Sequence, residues 1–226
     1  MNESPDANGA KPKVGAGSAC RFAFKHHYIT AVMDSEIICA FLEALSDEYA
    51  IYIKNENNAG APYVYVPLKL MISAQNGRQY LMVYDMRQRR VKALRTDKVV
   101  SVEKAGRCED MQKYRDIWEN MKGHVWGIST EGFSPDRMEH LDMTVHYDND
   151  EQHILRRLQR EKRCGTVEVI DANTARFSAD VFNVTELIPW VRTFICRITE
   201  IHISDEAIER RFLDDIQKMY RMYDEV

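Results

Sequence analysis

The 226-residue chain is short of the parts that mark an enzyme, a metal protein or a membrane protein. It holds no HExxH helix, no GxSxG elbow and no glycine-rich phosphate loop, so the minimum residue sets for zinc hydrolysis, serine acyl transfer and nucleotide hydrolysis are missing. Catalysis is not expected, and neither is a cofactor. The five cysteines, Cys20, Cys39, Cys108, Cys164 and Cys196, are odd in number, scattered and without metal-ligand spacing. Reduced thiols in a cytoplasm are the expectation. No apolar run reaches the length that spans a bilayer, and the N-terminus lacks the apolar core of a secretion signal. Acidic pairs such as Asp148 with Asp150, or Asp214 with Asp215, lie beside turns or on an exposed helix, where solvated charge accounts for them.

The residues that are present suit a folded protein with a patterned charge. A hydrophobic content of 45% is enough to bury one large core or two small ones. A formal net charge of -4 argues against a surface that coats DNA, so any nucleic-acid contact must come from local basic patches.

The densest such patch lies in residues 64–103, where the strand pattern is also clearest. Pro67 is followed by Leu68, Leu70 and Ile72 in period two, Asn76 and Gly77 supply the left-handed conformations of a tight turn, and residues 80–84 form a second strand. Residues 85–89 read as a turn, residues 91–94 as a third strand and residues 99–102 as a short last one, together a small antiparallel meander. Arg78, Arg87, Arg89, Arg90, Lys92, Arg95 and Lys98 are opposed there only by Asp85 and Asp97. Arginine forks match phosphate oxygens and tyrosine rings stack on bases, so a basic, aromatic sheet face suits a nucleotide or a single strand. A solvated outer face is the competing explanation.

The rest of the chain frames this meander. Residues 1–20 contain almost no large apolar side chain and read as a disordered tail. His26 and His27 are adjacent, point to different sides of any regular element and have no partner motif, which makes them structural or surface residues. Ile37, Ile38, Phe41, Leu42 and Leu45 recur at helical spacing after Asp34 or Ser35 as cap, and residues 48–54 alternate as a strand. Met111, Tyr114, Ile117, Trp118 and Met121 give a connecting helix within residues 106–122, with Trp118 read as a core residue. Residues 123–135 form an irregular linker and the domain boundary.

Beyond it the pattern is strand (139–147), helix (151–162), strand (166–170), strand (174–182), helix (184–194), strand (196–203) and terminal helix entered at Ser204. Pro189 fits the second helix only in its first turn. That order is a split βαβ, ferredoxin-like plan. Arg156, Arg157, Arg160, Lys162 and Arg163 cluster on its first helix, where a solvated face competes with a nucleic-acid or partner contact.

The meander resembles a WYL domain, the ligand-sensing module of many bacterial transcription regulators. The resemblance rests on Pro67 and Leu68, on Gln79-Tyr80-Leu81 at the name-giving triplet, and on the run Leu94-Arg95-Thr96-Asp97-Lys98-Val99. Gln79 stands where tryptophan is usual and Leu94 where phenylalanine is usual, and Lys54 and Asn55 replace a tyrosine common at the end of the first strand. The family implies an α+β protein. Its parts would be a small antiparallel Sm/SH3-like β-barrel in residues 21–105, a connecting helix and linker in 106–135, and a WCX-like, ferredoxin-like extension with a terminal helix in 136–226.

It also implies a non-enzymatic sensor working as a homodimer. The ligand-binding candidates are Arg95 and Lys98 for phosphate, Tyr80 and Tyr84 for stacking, and Arg90 and Lys92 as flanking charges. Since Arg90, Lys92 and Leu94 share one strand face and Val91, Ala93 and Arg95 the other, these residues are not all expected in one pocket. The sequence before Ser35 is too short and polar for the winged helix-turn-helix such regulators carry. The expectation is a fragment, or a sensor acting through a separate DNA-binding partner. The rival reading is a protein-interaction scaffold or accessory subunit whose arginines meet an acidic surface.

Overall fold

The computed structural model describes residues 35–56, 63–73, 77–130 and 138–224. The expectations for the N-terminal tail, His26, His27, Asp34, Asn76 and linker residues 131–135 lie outside them. The protein is α+β, with two antiparallel sheets and five α-helices among the described residues.

The first helix, α1 (Ser35–Ser46), buries Ile37, Phe41 and Ala44 on one side. It leads into β1 (Tyr49–Asn55), where Ile51 and Ile53 point inward and Tyr52 outward. Strands β2 (Tyr63–Ile72) and β3 (Gln79–Asp85) form the expected hairpin. Ser73 N–H donates to Arg78 O at 2.8 Å, and Gly77 takes a φ of 65°, which a residue without Cβ adopts at no steric cost.

Pro67 sits inside a strand that has neighbours on both sides, although proline has no N–H to donate. The register explains the tolerance: β1 pairs with β2 only as far as Tyr65, and the β2–β3 ladder shifts between Pro67 and Lys69. Proline therefore falls at a bulge, past the end of one ladder.

Strand β4 (Arg90–Arg95) completes the meander on β3, and the 3-10 turn Thr96–Lys98 passes the chain to β5 (Val99–Arg107). Two expectations are corrected here. β5 is a nine-residue strand rather than a short one, and it pairs with β1, so the sheet runs β4-β3-β2-β1-β5. No ladder joins β4 to β5 among the described residues, and the sheet is open rather than a closed barrel.

Both faces of the sheet are covered. Leu81 and Val83 of β3 face α1 with Ile51, Ile53 and Val99, while Tyr80 and Met82 face α2 (Met111–Lys122) through Met111, Tyr114, Trp118 and Met121. Helix α2 begins at Met111, the first residue of its apolar spacing, and β5 takes up the chain before it as far as Arg107.

In the second half, β6 (Glu139–His146), α3 (His153–Glu161), β7 (Thr166–Val169), β8 (Thr174–Val181), α4 (Ile188–Val191), β9 (Ile198–Ile203) and α5 (Glu206–Asp224) follow the order read from the sequence. The sheet order is β7-β8-β6-β9, all antiparallel. The expected helix over residues 184–194 is broken into the 3-10 turn Val184–Glu186, the single turn of α4 and the 3-10 turn Arg192–Phe194. Pro189 opens α4, where its missing N–H is harmless. Asp205, not Ser204, caps α5: its Oδ1 accepts the N–H groups of Ala207 and Ile208 at 2.9 and 3.1 Å, while Ser204 Oγ accepts His140 N–H.

Residues 124–130 are irregular in backbone yet packed. Val125 joins the core under α2, and Trp126 joins the core of the second sheet with Leu141, Phe177 and Phe194. Phe182 N–H donates to His124 O at 3.2 Å, and Thr130 Oγ1 donates to Val91 O at 2.9 Å. This strap ties one sheet to the other.

Candidate functional site

The β3–β4 register divides five of the six sequence candidates between two faces, and the sixth, Lys98, ends the 3-10 turn after β4. Residues directly opposite in an antiparallel pair share a face. Tyr80 is opposite Arg95 and Tyr84 opposite Val91, on the α2 side, whereas Lys92 lies opposite Val83 and Arg90 opposite Asp85, on the α1 side. The structure does not bring the six together.

Most of the six already have internal partners. Lys92 Nζ donates to Asp85 Oδ2 at 2.6 Å, and Asp85 Oδ1 also accepts the N–H groups of Arg87 and Gln88, each at 2.9 Å. Burial raises the Asp85 carboxyl, but the Lys92 ammonium and the two backbone donors outweigh it and hold it below the usual carboxylate range. Arg95 forks onto Asp97, Nε to Oδ1 at 3.0 Å and Nη2 to Oδ2 at 2.6 Å, and Lys98 pairs with Glu56 at 3.0 Å. Tyr84 packs on Tyr114 with ring centroids 4.9 Å apart. Arg90 and Lys92 line a groove of about 300 Å3 beside residues 128–130.

A larger cleft of about 510 Å3 opens between the sheets, and Tyr80 alone of the six lines it. Met71, Ile72 and Ser73 at the end of β2 form one wall, Trp118 and Lys122 of α2 a second, and the strap at Val125–Ile128 together with Arg163 and Glu186 the third. Trp118 and Lys122 share an edge of α2 because they are four residues apart. Arg163 lies just past α3, where its Nη1 donates to Trp126 O at 3.0 Å and its guanidinium sits 5.8 Å from the Trp126 ring centroid. Lys122 pairs with Glu119 on the helix surface.

Glu186 lines the cleft beside the strap. Its Oε2 accepts Gly127 N–H at 2.9 Å, and its Oε1 accepts Ile128 N–H at 3.1 Å, Ser129 N–H at 3.2 Å and the Ser129 hydroxyl at 3.1 Å. Three consecutive amides converge on one carboxylate, the arrangement of a backbone anion nest.

In the sequence Trp118 falls at core spacing, Trp126 in the linker, Arg163 in the charged cluster of a helix and Glu186 early in the expected 184–194 helix. Their convergence depends on residues 59 apart, Gly127 and Glu186, and no local spacing signals it.

Two other polar features have structural explanations. On the outer face of the second sheet His140 bridges two carboxylates, Nδ1 to Asp180 at 2.7 Å and Nε2 to Asp142 at 2.8 Å, and Arg176 forks onto Asp142. The Asp142 and Asp180 bonds raise the His140 pKa. Burial raises that of Asp142, but Arg176, His140 and Ser178 more than offset it and bring it down to about 2. Cys164 is buried in the second core, which pushes its thiol up to about 11 and makes it a poor nucleophile. Among the described residues no three His, Cys, Asp or Glu side chains gather to hold a metal, and no helix is long and apolar enough to cross a membrane.

No family model and no curated protein matches the chain. Among solved structures it is similar to proteasome accessory factor B/C (PafBC) of Arthrobacter aurescens, at 12% identity and a TM-score of 0.36, over 83% of this chain and 27% of that one. The chain thus spans about a quarter of the length of that protein.

Proposed function

We propose that the chain is a non-enzymatic ligand-sensing module of the WYL regulator type, with a ferredoxin-like WCX extension, and that the cleft between its sheets takes a nucleotide-class ligand. One observation carries the reading: aromatic and cationic side chains from both halves face a single cleft. The largely buried rings of Trp118, Trp126 and Tyr80 line it, and charge for phosphate comes from Arg163, bonded to the Trp126 carbonyl, and from Lys122, an exposed lysine paired with its helix neighbour Glu119. The volume suits one nucleotide unit better than a length of single strand. Because the walls belong to both sheets, an occupied cleft bears on how the halves pack, which is how a sensor converts binding into a signal to a DNA-binding partner.

Equilibrium dialysis of the purified chain against labelled adenosine 5′-monophosphate and adenosine tests this. Saturable binding of the phosphate form, stronger than that of adenosine, is expected. No uptake of either at low salt would remove the nucleotide reading.

A second reading, a protein-interaction subunit, is favoured by α5. Its last turns expose Met219, Tyr220, Met222 and Tyr223, an apolar surface suited to a second copy of this chain. Sedimentation over a concentration series, with Tyr220→Ala/Tyr223→Ala beside the parent, tests it.

A further inference from the structure

The strap amides that hold Glu186 are built as an anion site. Four donors reach a single carboxylate from outside its own element, and the backbone comes close enough only because residue 127 is glycine: a Cβ there would lie 2.5 Å from the Glu186 carboxyl carbon. Among the described residues Glu186 has no cationic partner, although Arg163 and Lys122 line the same cleft. Gly127, Ile128 and the two cations thus line one space, with Ser129 at its border on the neighbouring groove, and Glu186 uses only the donors.

We infer that the amides of residues 127–129 are the seat for the phosphate of the cleft ligand, and that Glu186 fills this seat in the ligand-free chain and is displaced from it. The inference rests on the reading of the cleft as a ligand site. A phosphomonoester offers three acceptor oxygens where Glu186 offers two, and carries the greater negative charge toward Arg163 and Lys122. Its ring extends toward Trp118 and Tyr80. No covalent step is involved.

Displacement frees the 3-10 turn Val184–Glu186 from the strap. The ties from Phe182 to His124 and from Arg163 to Trp126 remain, so one contact between the halves is exchanged for a ligand contact while the rest hold. The ligand class that makes this exchange is a planar ring bearing a phosphate monoester. A neutral ring lacks the group that competes with Glu186.

The test is an amide NMR titration of the full chain with adenosine 5′-monophosphate, adenosine and inorganic phosphate, alongside Glu186→Gln and Glu186→Asp. The monophosphate is expected to move the Gly127, Ile128 and Ser129 amide signals, phosphate to move the same three at higher concentration, and adenosine to leave them in place. Removing the competing charge in Glu186→Gln should tighten monophosphate binding about tenfold, the difference between a charge-assisted and a neutral hydrogen bond. Glu186→Asp keeps the charge, draws it out of reach of the amides and should also bind more tightly than the parent. If Glu186→Gln fails to give a dispersed spectrum, the parent titration and Glu186→Asp decide the matter. Monophosphate binding with the three amides unmoved and no gain in either variant overturns the seat but leaves the cleft reading intact. No monophosphate binding by any of the proteins overturns both.

Discussion

Gly127 and Glu186 are fitted to one another. The Gly127 N–H donates to Glu186 Oε2 at 2.9 Å, and any side chain at residue 127 would occupy the space of that carboxyl group. Gly127→Ala turns the flexible Glu186 carboxylate away from the strap amides, and is expected to cost about 1–3 kcal/mol in urea unfolding, the range for leaving hydrogen-bond donors without their acceptor. Gly123, at the end of α2, has nothing within 4 Å of where a Cβ would stand, and Gly123→Ala should change stability by less than about 1 kcal/mol.

Asp85 and Lys92 form a second matched pair. The Asp85 side chain is only 4% exposed, and it satisfies two backbone N–H groups as well as the ammonium. Asp85→Ala leaves all three without their acceptor and should cost about 3–5 kcal/mol, the range for breaking a buried pair from one side. Asp85→Asn keeps an acceptor for the backbone and should cost less. Because the folded carboxyl titrates below its unfolded value, its contribution is present above that unfolded value, and is lost as pH falls through the folded one. Denaturant midpoints of the parent and Asp85→Asn should converge in acid.

The carboxylate bridge of His140 gives the opposite dependence. Its pKa is raised by Asp142 and Asp180, so its stabilisation is complete below about pH 6.5, the unfolded value, and is lost as pH rises through the folded one. The difference in melting temperature between the parent and His140→Ala should be largest near pH 5.5 and shrink above neutrality. A difference that grows with pH would contradict the bridge.

Helix α5 carries one residue in the core and a run of exposed ones near its end. Phe212 is 1% exposed in the second core, and Phe212→Ala should cost about 3–5 kcal/mol. Tyr220 and Tyr223 are exposed, and replacing both by alanine should leave the monomer's stability within about 0.5 kcal/mol of the parent at each site. Any change in sedimentation would then report association rather than folding.

Elements with a single strong period were legible in the chain. The β2–β3 hairpin follows from alternating residues and Gly77, α1 and α2 from apolar residues at three and four, and the order of the second half from punctuation at Asp171, Asn173 and Pro189. Pairing was not. β5 reads as the end of a meander, and only the tertiary structure sends it across to β1, because period two says which side chains share a face and nothing about which neighbour supplies the ladder. The break at residues 187–192 shows the same limit, with apolar spacing that fits one helix and a proline that divides it.

The candidate site was legible in residue types and not in membership. Tyr80 is legible as a candidate and lines the cleft. Arg95, Lys98 and Lys92 stand out in the sequence because their local charge balance is basic, and each is paired with an acid: Asp97 two residues on, Glu56 from before β2, and Asp85 across the strand turn. Net charge over a window counts acids without showing where they fold. Trp126 sits in a stretch rich in turn residues, and its burial depends on the second sheet packing over it.

The proposed phosphate contacts are Lys122 and Arg163 in the cleft, and not the cations at the end of β4. Tryptophan fluorescence of the parent, of Lys122→Ala/Arg163→Ala and of Arg95→Ala/Lys98→Ala, titrated with adenosine 5′-monophosphate over a salt series, decides between the two. Quenching is expected to saturate in the parent and in the Arg95/Lys98 variant, and to be lost in the Lys122/Arg163 variant, because Trp118 and Trp126 wall that cleft. Binding abolished by the Arg95/Lys98 change and untouched by the Lys122/Arg163 change would contradict it.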